Sequence, residues 1–181
     1  MGDLARRFFE RPPDEVARDL IGAHMSVRHG EHLTTVRIVE TEAYGGEDDP
    51  ASHAHRGRTA RNAAMFGPAG HLYVYLIYGV HWCMNVVTQE EGVASAVLLR
   101  GADLIDDDFA DALSPPSASL RGPGRLCKYV GVNGGDDGLD CCALLARVRF
   151  SAPDVRDHDV RTSPRIGISR ARERMSRYYL G

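Results

Sequence analysis

The chain has 181 residues, which suits one domain with a substantial hydrophobic core and is short for two domains. Apolar residues make up 43% of it and the formal net charge is −3, so the composition predicts a globular protein and argues against a generic binder of polyanions. No apolar stretch is long enough for a membrane-spanning helix, and the N-terminal residues lack the apolar region of a signal peptide.

The first half of the chain predicts one helix and two paired strands. Residues 13–21 begin with a proline and carry apolar side chains at helical spacing, so we expect a helix that Gly22 ends. Residues 24–44 predict a strand, a turn near Gly30 and a second strand. Residues 45–70 are rich in glycine, proline and charge, and they predict a loop with one short helix.

The most strand-like region is residues 71–100. It divides at Tyr78-Gly79 and again at residues 90–92, which predicts an antiparallel meander. Residues 101–119 predict a short helix followed by a flexible acidic loop.

The last third predicts a helix over residues 122–132, with Pro123 near its start. The tail, residues 163–181, predicts a strand followed by an irregular basic end. The chain shows no internal repeat and no clear linker. We therefore expect a single α+β domain, residues 1–181, built around an antiparallel sheet.

Charge is distributed unevenly along the chain, and the positive charge is almost all arginine because Lys128 is the only lysine. Residues 161–177 hold six arginines and one acid, whereas residues 103–111 hold five aspartates and no base. Arginine forms bidentate contacts with phosphate or carboxylate, although a GC-rich genome would also enrich it. The four cysteines form no C-x-x-C motif, so we expect reduced, mostly buried thiols in a cytoplasmic protein.

The segment "RIVETEAY" places two carboxylates and a tyrosine at alternate positions of a predicted strand. Glu40, Glu42 and Tyr44 would share one face of that strand. One carboxylate at a strand end can act as a general base on water, and two can act as an acid and a base, as in glycoside hydrolysis. The plain structural alternative is an exposed strand end with solvated charges.

The following segment, "ASHAHRGRTARNAAMF", combines two histidines with three arginines. The H-x-H pattern of His53 and His55 is compatible with a metal site, but no matching third ligand is evident. Histidines in an irregular loop more often form hydrogen bonds, so we expect no metal.

The segment "LYVYLIYGVHWCMN" is rich in aromatic residues, which is typical of a β-sheet core. Two features indicate more than a core. Tyr78 lies beside Gly79 at the expected hairpin tip, where its ring would be exposed. Asn85 and Arg100 are polar residues within apolar strands and need hydrogen-bond partners if they are buried. Together they predict a polar pocket with aromatic walls.

These parts fit one task. Aromatic faces can hold a flat base, a carboxylate can activate water, an exposed ring can fill the gap that a displaced nucleotide leaves, and arginines can bind phosphates. Enzymes that flip a base out of the helix and cleave its glycosidic bond need this set of groups.

At this point a specific resemblance can be stated. The segments "RIVETEAY", "SHAHRGRTARNAAMF", "LYVYLIYGVHWCMN" and "VLLRG" closely resemble the alkyladenine (3-methyladenine, methylpurine) DNA glycosylase family, of which this would be a bacterial member. Weaker similarity continues through "ARDLIGAHM", "GPGRLCKYVGVNG" and "PRIGI". The resemblance implies a bent, mainly antiparallel sheet flanked by helices, with a protruding β-hairpin.

The resemblance also implies roles for individual residues. Glu42 matches the base that activates water, and Arg100 matches a residue near that water and the phosphate of the flipped nucleotide. The base pocket would be lined by Tyr44, His53, Tyr75 and Asn85, of which Asn85 discriminates against the guanine amino group. Tyr78 matches the ring that is inserted into the minor groove. Val80 and His81 would flank it, and the histidine is a departure from the family, where an aromatic ring can occur.

The implied reaction is monofunctional hydrolysis of the glycosidic bond of a damaged purine in double-stranded DNA, by a cytoplasmic, nucleoid-associated monomer that needs no cofactor. Arg56, Arg58 and Arg61 are candidate phosphate contacts. Three alternatives remain: a nucleosidase or glycoside hydrolase that uses Glu40 and Glu42, a protein that recognises damaged bases without cleaving them, and a metallohydrolase. The acidic stretch and the negative net charge differ from the basic mammalian members, so non-specific affinity for DNA would be weaker.

Overall fold

The computed structural model describes residues 2–107, 120–153 and 159–181. Within these ranges the helices are α1 (Arg6–Phe9), α2 (Pro13–Asp19) and α3 (Pro123–Tyr129). The strands are β1 (His24–His29), β2 (His32–Tyr44), β3 (Leu72–Ile77), β4 (His81–Thr88), β5 (Ser95–Asp107), β6 (Leu120–Arg121), β7 (Val148–Ser151), β8 (Val160–Ser163) and β9 (Arg177–Leu180). The predicted α+β class is confirmed.

The strands form one sheet in the order β3-β4-β5-β2-β1-β7, with antiparallel neighbours. Strand β2 is long enough to take two partners along one edge. Its first half pairs with β1, and residues Glu40 to Glu42, further along the strand, pair with β9 near the end of the chain. The C-terminal strand therefore lies beside the two predicted carboxylates.

Side-chain alternation divides the buried residues between the two faces of the sheet. The main core packs beneath α2 and α3 and includes Leu20, Met25, Ile38, Leu72, Met84, Leu99, Leu126 and Phe150. A smaller cluster on the opposite face contains Ala54, Met65, Tyr73, Val87, Ala94 and Ala96. In β3 the sequence "LYVY" shows this directly, because Leu72 and Val74 belong to the main core and Tyr73 and Tyr75 face the smaller cluster.

Several predicted elements are confirmed with small changes of boundary. The helix expected at residues 13–21 occupies 13–19, and the two strands expected within 24–44 meet at a turn where Gly30 has a φ of 62°. The short helix in the 45–70 loop is a single 3-10 turn, Ala63–Phe66. The meander over 71–100 is present as β3, β4 and the start of β5.

The helix predicted from residue 101 is wrong for the residues that the structure describes. Strand β5 continues through Asp107, where it pairs with the first half of β2. The reason is tertiary pairing: Asp103 forms an ion pair with Arg37 at 2.9 Å, and Ala102 is buried in the main core. The predicted acidic loop at 108–119 lies outside the described residues.

The order of structure in the tail is also corrected. We expected a strand first and an irregular basic end, but residues 164–176 are irregular and the strand β9 follows them. The reason is that β2 extends beyond β1 and leaves an edge at Glu40 to Glu42, with which the alternating residues of β9 pair. Strand β8 was not predicted and pairs with β9.

Candidate active site

The register of the sheet places two of the predicted polar residues, Glu42 and Asn85, in one row across the strands. Glu42 of β2 is opposite Leu98 of β5, which is opposite Asn85 of β4, which in turn is opposite Tyr73 of β3. A cavity of about 570 Å³ lies on this face. That volume lies in the range of small-molecule sites. Among the predicted site residues, those that line it are Tyr44, His53, Arg56, Arg61, Tyr75, Tyr78, Asn85 and Arg100. Glu42 does not line it, and neither do Arg58, Val80 and His81, but the residues that donate hydrogen bonds to Glu42, namely Tyr44, Arg100 and Ile166, all do.

Glu42 is completely buried, with 0% of its surface exposed, and it has hydrogen-bond donors on both oxygens. The backbone N–H of Ile166 donates to Oε1 at 2.7 Å, and the Tyr44 hydroxyl donates to Oε2 at 2.8 Å. Arg100 Nη1 approaches Oε2 at 3.4 Å. Burial raises the pKa of the Glu42 carboxyl above its ordinary value, and Arg100 and the two hydrogen bonds oppose that rise.

Arg100 reaches both carboxylates because it lies at an irregularity in the β2–β5 ladder. Thr41 pairs with Leu99 and Glu40 pairs with Gly101, so Arg100 is an extra residue between these two pairs. Bulges of this kind are common beside active sites, where they redirect a side chain. The guanidinium donates from Nε to Glu40 Oε1 at 3.0 Å, and its side chain is 13% exposed.

Glu40 is engaged by two arginines and differs from Glu42 in its electrostatics. In addition to Arg100, Arg177 of β9 donates from Nε to Glu40 Oε1 at 2.7 Å. Burial favours the neutral acid, but the hydrogen bonds and charges of Arg177 and Arg100 outweigh it and hold the pKa of Glu40 below its ordinary value. The two carboxyls, two residues apart, therefore have pKa values shifted in opposite directions.

Aromatic rings form the wall of the cavity on the β3 side. The ring centroids of His53 and Tyr75 are 4.6 Å apart in an edge-to-face arrangement, and His53 Nδ1 hydrogen-bonds to the Tyr73 hydroxyl at 2.8 Å. Partial burial and the charge of Arg61 lower the pKa of His53, which favours the neutral form of its ring. Asn85 is buried at the cavity floor and donates from Nδ2 to the Tyr73 carbonyl at 3.0 Å.

The β3–β4 hairpin presents Tyr78 to solvent, with 86% of its surface exposed. Tyr78 and Gly79 have positive φ values of 53° and 72°, and Val80 donates its N–H to the Ile77 carbonyl at 3.2 Å. Two consecutive positive φ values are typical of the tight hairpin turn whose twist matches the strands. Val80 is 69% exposed, and His81, also exposed, packs closely against Gly124 of α3.

The three arginines of the 56–61 loop are exposed, but they lie in different places. Arg56 and Arg61 line the cavity, and the Arg61 guanidinium is 5.7 Å from the centroid of the Tyr75 ring. Arg58 is outside the lining, 5.8 Å from the Phe66 ring. Arg170 of the tail lines the cavity mouth as well.

Comparison with known proteins decides the family. The family model described as Methylpurine-DNA glycosylase (MPG) matches residues 7–181, almost the whole chain. The chain belongs to the methylpurine-DNA glycosylase family. Membership makes it a DNA glycosylase, an enzyme that acts in DNA repair on DNA as substrate.

Its relatives in the family cover nearly its full length. A protein of Myxococcus xanthus is 43% identical over 171 residues, which span 94% of this chain and 84% of the relative. One of Rickettsia felis is 43% identical over 176 residues, 97% of this chain and 91% of the relative. One of Methanocella arvoryzae is 41% identical over 175 residues, 94% of this chain and 86% of the relative. Each bears the name "Putative 3-methyladenine DNA glycosylase".

The structure of this glycosylase adds site residues that the sequence did not single out. Ile166 contacts Glu42 through its backbone N–H, and Arg177 pairs with Glu40. Arg165 and Asp49 form a buried ion pair behind Tyr44. The available signals were the segment "PRIGI", which contributed to the family resemblance without an assigned role, and the six arginines of residues 161–177, which were considered for phosphate contact and not for pairing with Asp49 or Glu40.

The described residues contain neither a metal-binding cluster nor a helix that could span a membrane. Within residues 2–107, 120–153 and 159–181 there is no cluster of three or more histidine, cysteine, aspartate or glutamate side chains that could hold a metal ion. In the same part of the chain, no helix is long and apolar enough to cross a membrane.

Replacing Glu40 with Gln is expected to lower the free energy of unfolding by about 2 kcal/mol at neutral pH, because Arg100 and Arg177 lose their anionic partner. The folded-state pKa of Glu40 is lowered, so its stabilisation is present at neutral pH and is lost as the pH falls below about 4. Denaturant unfolding of both proteins at several pH values checks this. A stability difference that persists unchanged at pH 3 would contradict the ion-pair explanation.

Proposed function

We propose that this glycosylase is monofunctional: it flips alkylated or deaminated purines out of duplex DNA and hydrolyses their N-glycosidic bond, leaving an abasic site. The proposed substrates are 3-methyladenine, 7-methylguanine, hypoxanthine and ethenoadenine. The first of these bases occurs in the name of the relatives. The observation that carries the proposal is the buried Glu42 carboxylate held by three donors beside an aromatic cavity. We propose that it acts as a monomer on the nucleoid in the cytoplasm.

Glu42 is assigned as the general base for the attacking water. A carboxylate has about four acceptor sites. The bonds from Ile166, Tyr44 and Arg100 use three of them. The remaining site would accept the water proton as the oxygen attacks C1′ of the deoxyribose, and the bonding electrons leave with the purine. Arg100 would stabilise the ionised carboxylate and lie near the phosphate of the flipped nucleotide.

The purine would bind between the aromatic rings of the cavity. Tyr44 on one side and Tyr75 with His53 on the other supply faces for stacking, and tyrosine faces attract a cationic alkylated base. Alkylation at N3 or N7 makes the base a good leaving group, so such lesions need no metal or organic cofactor. Asn85 at the floor would exclude the amino group of an undamaged guanine by steric conflict.

Hairpin residues would keep the duplex open after the nucleotide leaves it. The exposed Tyr78 ring is assigned to the vacated space, and Val80 and His81 to the bases on either side. Inserted side chains of this kind offset part of the cost of unstacking, which is a few kcal/mol per step, roughly.

The contacts of Glu40 weigh against a nucleosidase or glycoside hydrolase that uses both carboxylates. An acid catalyst must hold a proton, whereas two arginines favour the ionised form of Glu40 and lower its pKa. The described residues that line the cavity include no lysine, which supports hydrolysis by water over Schiff-base chemistry.

The test is incubation with duplexes that each carry one of the four lesions, followed by alkaline cleavage of abasic sites. Strand cleavage at the lesion, absent from undamaged duplex, is the expected result. Single-turnover conditions distinguish catalysis from recognition without cleavage. Binding to every damaged duplex with no base release would refute the proposal and favour a damage-recognition protein.

Binding to DNA is expected to weaken as salt rises, because arginines displace counterions from phosphates. In the 56–61 loop and the tail, the exposed arginines are Arg56, Arg58, Arg61, Arg161, Arg170 and Arg172, of which Arg161 is paired with Asp159 at the surface. Arg165 and Arg177 of the tail are held by Asp49 and Glu40 and are not assigned to phosphate. Three or four contacts would give a slope of about −3 in log K against log salt.

Fluorescence anisotropy at several salt concentrations measures that slope. Changing Arg56 and Arg170 to Ala should reduce its magnitude by about 2. The matched control is Arg28→Ala, because Arg28 is exposed on β1, on the other side of β2 from the cavity strands β4 and β5. An affinity that does not depend on salt would exclude a phosphate-contacting role for the loop and the tail.

A further inference from the structure

Arg165 is a buried charged residue close to Glu42, the proposed general base. Its side chain and that of Asp49 are each 1% exposed. Arg165 Nη1 donates to Asp49 Oδ2 at 2.5 Å and Nη2 donates to Oδ1 at 2.9 Å, a bidentate arrangement. Asp49 also accepts backbone N–H groups of Gly45 and Ala51, so the pair fixes the loop that follows β2.

The contacts of Arg165 converge on the two neighbours of Glu42 that donate hydrogen bonds to it. Its guanidinium lies 4.6 Å from the centroid of the Tyr44 ring, and Nη1 donates to the carbonyl of Ala43, between Glu42 and Tyr44, at 3.0 Å. The next residue along the chain is Ile166, whose N–H donates to Glu42. One side chain thus supports the phenol on Oε2 and the amide on Oε1.

We propose that Arg165, held by Asp49, is a positioning residue that keeps the Tyr44 hydroxyl and the Ile166 N–H on the Glu42 carboxylate and so keeps that carboxylate ionised for its reaction with water. The inference rests on the proposed function of Glu42 as general base. Arg165 does not line the cavity, so its proposed effect passes through the donors of Glu42.

The charged and polar groups around Glu42 explain why its two hydrogen bonds affect its pKa. Arg100 on β5 and Arg165 on the tail are positive, Glu40 on β2 is negative and is itself paired with Arg177 on β9, and Tyr44 is a neutral donor. Burial favours the protonated acid, and the donors oppose it. Losing both donors would therefore raise the pKa of Glu42 further above its ordinary value, because hydrogen bonds to a carboxylate favour its ionised form.

A buried ion pair with only a structural role predicts a different result. Its removal would lower the melting temperature and leave the pH at which Glu42 titrates unchanged. The pH dependence of single-turnover base release therefore distinguishes the two roles, and the double variant Arg165→Gln/Asp49→Asn is the suitable test because it leaves no unpaired buried charge. The matched control is Arg147→Gln/Asp136→Asn, which removes another partly buried ion pair, one whose residues do not line the cavity.

We expect the acidic midpoint of the rate profile to move up by about one pH unit in the Arg165/Asp49 variant, with a loss of about tenfold in rate below the midpoint. The Arg147/Asp136 control should keep the wild-type midpoint even where it melts earlier. An unmoved midpoint in the Arg165/Asp49 variant overturns the positioning role. If that variant does not fold, Arg165→Lys, which keeps the charge of the pair and loses its bidentate contact with Asp49, should shift the midpoint in the same direction by a smaller amount, and no shift there also overturns it.

Wild-type protein and Glu42→Gln are measured in parallel to separate the two hypotheses. Wild-type protein that releases no purine from any damaged duplex refutes the proposed function, and the positioning role with it. Active wild-type protein, an inactive Glu42→Gln variant and an unmoved midpoint refute the positioning role alone.

Discussion

Glu42→Gln is expected to reduce single-turnover release of a damaged purine by about 10²–10⁴-fold, the contribution of a positioned general base, while binding to damaged duplex stays nearly unchanged. The amide keeps the shape of the side chain but cannot take the water proton. Its carbonyl can still accept the Ile166 N–H, and its NH₂ can donate to the Tyr44 hydroxyl, which can turn to accept. Arg100 loses its 3.4 Å contact with this side chain and keeps Glu40 as its partner. The fold around the site should therefore survive the change.

Quenched-flow or manual single-turnover assays, with anisotropy binding to the same duplex, provide the measurement. Glu40→Gln is the matched control, because it makes the same chemical change two positions away on the same strand. The Glu40→Gln protein should be less stable than wild type, but its single-turnover rate of base release should stay within about tenfold of the wild-type rate. A wild-type rate for Glu42→Gln would remove Glu42 from the role of base.

Tyr78→Ala is expected to reduce base release from duplex DNA by about ten- to a hundredfold while release from single-stranded DNA changes little. The ring would occupy the space that the flipped nucleotide vacates, and unstacking costs a few kcal/mol, roughly, of which an inserted ring recovers a part. Single-stranded DNA has little stacking to restore. Because Tyr78 is 86% exposed, its removal should leave the melting temperature almost unchanged.

Tyr78→Phe is the matched control, since it keeps the ring and removes only the hydroxyl, and it should retain duplex activity. Rates on duplex and single-stranded lesions are compared with melting temperatures for all three proteins. An equal loss on both substrates together with lower stability would mean that Tyr78 supports the fold of the hairpin, and the intercalation assignment would fail.

Local patterns in the sequence were sufficient to predict where several residues of the candidate site lie in the fold. Glu42 and Tyr44 share a face because they are two residues apart on a strand, and the structure joins them by a hydrogen bond at 2.8 Å. The Tyr78-Gly79 pair predicted an exposed hairpin tip, which is confirmed. Asn85 and Arg100 were singled out as polar residues in apolar strands, and both line the cavity.

What the sequence did not predict depends on contacts between distant parts of the chain. Arg165 lies 116 residues from Asp49, and nothing in the local pattern of "PRIGI" indicates a buried ion pair. The direction of the Arg100 side chain depends on an irregularity in the pairing of β2 with β5, which local sequence does not reveal. Strand β5 was predicted too short because its acidic end resembles a helix or loop until β2 supplies a partner.

The order in which the chain is made has a consequence for when this enzyme can act. The Ile166 amide that completes the Glu42 site is 124 residues further along the chain, and the strand that pairs with Glu40 comes later still. Contacts of such long separation close late in folding, after local hairpins have formed. During synthesis the hairpin that bears Tyr78 therefore leaves the ribosome well before the contacts of Glu42, the proposed general base, are complete. A partly made chain could touch DNA without being able to cut a base from it.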